Sequence, residues 1–120
     1  MAGITTNGLY VAAAAMGGSV AYPTYIAVGT SGLAFASGNT TLGSEVDRNI
    51  IDTQDFTTAE QVTLIANWSP TDISGCIMKE VGVFNSGAGG AMSSRNVLTG
   101  SLVFDGEQEL QVQQIYRFFL

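Results

Sequence analysis

The stretch QVTLIANW, residues 61–68, constrains the fold more than any other part of the chain. Val62, Leu64, Ala66 and Trp68 fall on one side of an extended backbone, and Thr63, Ile65 and Asn67 on the other. That is the period-two pattern of a half-buried strand. Such a strand has to cover its apolar side with another layer, and the rest of the chain offers mostly further strands. Residues 24–28, in YPTYIAVGTSG, read as a strand entered through Pro23 and left through a Gly/Ser turn. CIMKEVGVF at 76–84 is strand-like, and RNVLTGSLVF at 95–104 continues a sheet. Between them NSGAGGAMSS is a glycine-rich hairpin connection, and DGE at 105–107 is a turn signal. EVDRNIIDTQDF is β-branched but alternates imperfectly, and LAFASGNTTLGSE at 33–45 is loop-like.

The C-terminal segment, 109–120, alternates well. Leu110, Val112, Tyr116, Phe118 and Leu120 share one side, with Gln114 as the exception, and Gln111, Gln113, Ile115, Arg117 and Phe119 lie opposite. Its apolar side is expected to close the sheet or to form a subunit interface. Only the N-terminus departs from this character. In TTNGLYVAAAAMGG, Thr5, Thr6 or Asn7 caps a short helix over 5–17, four alanines favour it, and Gly17-Gly18 stop it. The sum predicts a mainly β protein: one domain over 1–120, a small antiparallel β-sandwich of about seven strands with a short N-terminal helix. Its expected core takes Tyr25, Ile26, Val28, Val62, Leu64, Trp68, Val81, Val83 and Phe84.

Composition narrows the function. In 120 residues, 46% are hydrophobic but only 12% charged, about half the usual charged share. A small domain with so few charges is expected to have much of its surface covered by partner chains. The net charge is −6, with Arg48, Lys79, Arg95 and Arg117 the only basic residues. This argues against phosphate-mediated nucleic-acid binding and against an anionic membrane surface. LYVAAAAM at 9–16 lacks a basic leader and is too short to span a bilayer, so the chain reads as mature and soluble, with no export signal.

There is one cysteine, Cys76, and no histidine. Disulfide frameworks, Cys/His zinc sites and histidine-based catalysis within one chain are thereby excluded, and Cys76 reads as a small buried hydrophobe. Asp47, Asp52 and Asp55 cluster in sequence but match no calcium loop, and read as a solvated strand edge. Lys79, the sole lysine, has Cys76 rather than serine three residues before it, so no Ser-x-x-Lys nucleophile is present. GTSG at 29–32 lacks the lysine of a phosphate loop and reads as a turn. No enzyme, cofactor or metal is expected. A carbohydrate-binding sandwich is the alternative, with Tyr10, Tyr22, Tyr25 and Trp68 as available rings, although Trp68 is placed in the core.

KEVGVFN, residues 79–85, sets a puzzle, because an apolar run carries adjacent charges. Strict alternation places Glu80, Gly82 and Phe84 with Cys76 and Met78, and Ile77, Lys79, Val81 and Val83 opposite. A carboxylate pointing the same way as Phe84 is costly unless paired. Gly82, without a side chain, marks a close approach or a bulge.

ITTNGL, YIAVGT, TTLGSEVDR and KEVGVFN occur in that order between Ile4 and Asn85, a span of about two thirds of the chain. Together they resemble the N-terminal attachment module of tailed-phage collar-fibre and baseplate proteins. The remainder, ending in an apolar strand, resembles small stand-alone capsid-decorating (cement) proteins. The resemblance implies a non-enzymatic structural role in a virion assembled in the host cytoplasm. Capsid decoration is favoured, and fibre or baseplate attachment is the alternative, because no fibre shaft or receptor-binding tip follows Leu120. The implied partners are the major capsid protein or tail and baseplate proteins, and the implied state is a homotrimer. The motifs also imply that Arg48 pairs with Glu80, within one subunit or across an interface, and pins the strand register. Leu110, Val112, Tyr116, Phe118 and Leu120 are the candidate interface, with Thr5, Asn7 and the alanine helix as a docking element.

Overall fold

The computed structural model of the protein describes residues 2–9, 22–55 and 61–117. The segment that alternates most clearly becomes β5, Gln61–Trp68. It pairs on one side with β4, Thr53–Asp55, and on the other with β8, Leu110–Arg117. The second sheet has five strands in the order β1 (Ala2–Ile4), β7 (Met92–Val103), β6 (Ile77–Phe84), β2 (Tyr25–Gly29), β3 (Glu45–Ile50). Every pairing is antiparallel. The mainly β, sandwich-like fold expected from the sequence is therefore present, with eight strands among the described residues. The three-residue strands β1 and β4 are too short to show a period.

The core lies between the sheets. Ile26, Val28, Val81 and Val83 from one sheet meet Leu64, Ala66, Trp68, Leu110 and Val112 from the other, and Ile73, Cys76 and Phe104 close one end. Polar ties flank this core. The Trp68 Nε1–H donates to Asp47 (3.0 Å), and the Asn49 amide donates to the Asn67 carbonyl (2.7 Å). On the opposite flank the Ser94 and Tyr116 hydroxyls share a hydrogen bond (2.7 Å), and the Asn96 amide donates to Gln114 (2.7 Å). Gln114, the polar exception on the inward side of β8, is thus matched by Asn96. Burial pushes the Tyr116 hydroxyl up to about 12, only partly offset by its Ser94 partner.

At the N-terminus, residues 6–9 form a helical turn. Thr5 caps it by accepting the Gly8 N–H at Oγ1 (3.0 Å). The remainder of the expected helix, 10–17, lies outside the described residues.

One register shift changes the reading of KEVGVFN. Met78 pairs with Leu102, but Glu80 pairs with Val97. The irregularity at Lys79 breaks the alternation, as a bulge does. Met78 packs in the inter-sheet core with Val81 and Val83. Phe84 instead joins Ala27, Leu42 and Met92 in a second cluster, backed by Tyr25. The expected grouping of Glu80 and Phe84 with Cys76 and Met78 is corrected accordingly: Glu80, Gly82 and Phe84 occupy the outer face of the five-stranded sheet.

Candidate functional site: a buried carboxylate–arginine anchor

The outer face is covered by the long connection between β2 and β3, residues 30–44, which folds back across the sheet as a strap. Its neck closes where the Thr30 N–H donates to the Ser44 carbonyl (2.9 Å). Its far side meets the N-terminus, where the Thr6 N–H donates to the Ser37 carbonyl (2.8 Å). Leu42 descends onto Gly82. A Cβ at Gly82 would sit 2.8 Å from a Leu42 methyl, 3.1 Å from the Phe84 ring and 3.2 Å from the Met92 sulfur. Gly82 is therefore the close approach expected from the sequence, made to a loop rather than to another strand.

Beside this contact sits Glu80, fully buried. Its Oε1 accepts the Gly43 N–H (2.9 Å) and the Arg95 Nε–H (3.0 Å). Its Oε2 accepts the Ser44 N–H (2.8 Å) and the Ser31 N–H (3.0 Å). Four donors use the full accepting capacity of a carboxylate. Gly29, opposite Glu80 in the ladder, leaves room for it, since a Cβ there would lie 2.5 Å from Glu80 Oε2. Burial alone raises the Glu80 pKa, but the Gly43, Ser44 and Ser31 amides and the Arg95 guanidinium outweigh it, and the net shift is downward from 4.5. Glu80 is thus an anion held by the fold, with no acceptor site left for a substrate.

Arg95 is equally committed. Besides Glu80 it donates to the carbonyls of Leu33 (3.0 Å) and Ala34 (3.4 Å) and to Asn39 Oδ1 (3.3 Å). The pair therefore grips both arms of the strap, Glu80 from β6 and Arg95 from β7. Gly82 directly opposes Arg95 in the ladder, which brings the two side chains onto one face.

The expected Arg48–Glu80 pair is not formed within the chain. Arg48 lies on β3, and β2 separates β3 from β6, a distance of roughly 10 Å between backbones. Arg48 instead forms a bidentate pair with Glu45 (2.7 and 3.0 Å). It also lies 3.7 Å over the Phe84 ring and donates to the Ser86 and Gly89 carbonyls (2.9 Å each). It pins the β6–β7 connection onto the same outer face.

The other expected residues fall as follows. Leu110 and Val112 are buried in the core and Tyr116 packs against it, so these three close the sandwich, the first of the two roles expected of this side. Phe118 and Leu120 lie outside the described residues. Thr5 is buried, with its hydroxyl bound to the Met92 carbonyl, which removes it from the proposed docking element. Asp47 accepts the Trp68 indole and Asp52 accepts the Asn67 amide (2.9 Å). No metal-binding group of His, Cys, Asp and Glu occurs among the described residues. Trp68 is in the core, Tyr25 is half-buried, Tyr22 is exposed, and Tyr10 lies outside the described residues. No helix among the described residues is long and apolar enough to cross a membrane.

Sequence reasoning missed Arg95 and the strap amides of Ser31, Gly43 and Ser44. The available signal was scarcity: a buried carboxylate in a chain with four basic residues leaves few possible partners. No protein-family model matches the chain, and no curated protein matches it.

Proposed function

We propose that this chain is a non-enzymatic structural module of a tailed-phage particle, fastening to and stabilising a larger protein assembly. Capsid decoration is the favoured placement, and fibre or baseplate attachment is the alternative. One observation carries the reading. The segments that resemble the phage attachment module come together around one buried group. YIAVGT forms β2 and the first strap residue, TTLGSEVDR forms the strap's return and most of β3, and KEVGVFN forms most of β6. Glu80 of the last binds the Gly43 and Ser44 amides of TTLGSEVDR and the amide of Ser31, the residue that directly follows YIAVGT. The recurring residue types are therefore explained as a fastening of β strands.

The surface supports an assembly role. Exposed aliphatic side chains concentrate on edge strands, at Ile4 of β1, Val46 and Ile50 of β3 and Ile115 of β8. Others, Ile77, Leu102 and Val103, gather where β6 begins and β7 ends. Apolar groups on strand edges of a chain with few charges suit contact with other chains.

Immunogold labelling of purified phage particles that carry the gene tests the proposal. Label spread over the head supports capsid decoration, and label at the tail supports the attachment alternative. Particles that contain the gene but lack the chain would refute both.

A further inference from the structure

The two sheets leave four strand edges open among the described residues, and three carry features that discourage pairing with another chain. β1 and β4 have three residues each. β3 is broken by a register shift opposite Val28/Gly29 and carries Glu45, Asp47 and Arg48. Short length, bulges and charge are the usual protections of an edge. The fourth edge has none of them. β8 runs eight residues in unbroken register with β5, from Gln61↔Arg117 to Trp68↔Leu110, with no charge before Arg117. Along it runs a groove of about 410 Å³, lined by Ile4, Ser94, Asn96, Gln113, Ile115 and Arg117. Ile4 and Ile115 are 44% and 46% exposed there.

We propose that two copies of the chain join along this edge, β8 against β8, antiparallel about a two-fold axis through Gln113. Burial along β8 alternates, with Leu110 and Val112 inward and Gln111, Gln113, Ile115 and Arg117 outward. Two copies keep their apolar sides continuous only if paired residues share a side, so an odd residue must face an odd one. Centring on Gln113 meets this condition and pairs nearly the whole strand. Gln113 then faces its own copy, Gln111 faces Ile115, and Val112 faces Gln114. Arg117 falls opposite the exposed Glu109 of the other copy, twice by symmetry. Shifting by two residues one way sets Arg117 against Gln111 and loses both charge pairs; shifting the other way sets it against Glu107 and leaves only residues 110–114 of the strand paired. Charge complementarity selects the occupant, and together with the length of strand paired it selects the register. The result is one six-stranded sheet, β4-β5-β8-β8-β5-β4. This contact belongs to the isolated chain and does not depend on the particle it joins. Its two-fold symmetry differs from the three-fold state that the phage resemblance implies.

Sedimentation equilibrium over a wide concentration range tests it, with circular dichroism to verify folding. The wild-type chain is expected to form a dimer. Arg117→Glu sets like charges together at both ends and is expected to weaken the dimer about tenfold or more. The charge swap Glu109→Arg/Arg117→Glu is expected to restore it. Should Arg117→Glu fail to fold, Gln113→Lys places two like charges on the axis and gives the same readout. A wild-type monomer, a trimer, or a dimer indifferent to these substitutions would overturn the proposal.

Discussion

Two arginine–carboxylate pairs lie on the same outer sheet face, and they differ in what surrounds them. Arg95, Gly82, Ala27 and Arg48 form one cross-strand row, so the two arginines stand at its ends. At one end the strap covers Glu80–Arg95, whose side chains are 0% and 2% exposed. At the other, Glu45–Arg48 has its carboxylate 33% exposed. The geometry of the exposed pair is, if anything, the better, with two short hydrogen bonds. Its energetic weight is nevertheless expected to be smaller, because water competes for both partners. At the buried end no water replaces a lost partner, and each charge is costly alone. The row therefore separates a tether that the fold depends on from one that trims a loop.

The comparison is broken most forcefully at the buried end. Glu80→Ala leaves the Arg95 charge and three strap amides without their acceptor and is expected to cost about 3–5 kcal/mol. Chemical denaturation measures this, and a loss below about 1 kcal/mol would place Glu80–Arg95 in the exposed class. Gly82→Val tests the packing half of the anchor. Its added carbons collide with Leu42, Phe84 and Met92, and the expected loss is about 1–3 kcal/mol by thermal or denaturant unfolding.

Acidity gives a third contrast. The Glu80 pKa is lowered on folding, so its contribution is complete above 4.5 and is lost as pH falls through the lower folded value. Unfolding free energy measured against pH should decline below 4.5, and Glu80→Gln should flatten that part of the curve. At the exposed end, Glu45→Ala should cost only about 0.2–1 kcal/mol, and less in high salt.

The same contrast marks how far the sequence could be read. Period two in β5 placed Leu64, Ala66 and Trp68 in the core, and Ile26, Val28, Val81 and Val83 followed it there. These strands lie flat between two layers, so one face is buried and the pattern survives. The anchor defeats that logic. The bulge at Lys79 changed the face of Glu80, a choice made by pairing with β7 that no local pattern records. Met92, Ser93, Ser94 and Arg95 are buried in succession, so β7 begins with no alternation at all. Selecting Arg95 over Arg48 requires the strand order β3-β2-β6-β7, which sequence spacing does not contain. The demand for a cation beside Glu80 was legible; its identity was a tertiary fact. The strap shows the same limit, since its glycines, serines and asparagine read as an ordinary loop while its amides serve Glu80.

Residue-resolved hydrogen exchange on the wild type and Glu80→Gln tests most directly whether Glu80 and Arg95 hold the strap onto the sheet. The Ser31, Gly43 and Ser44 amides are expected to be protected in the wild type. In the variant they should exchange much faster, while amides of the β5–β8 ladder keep their protection. Unchanged protection at those three amides, or a uniform loss across both sheets, would contradict this expectation.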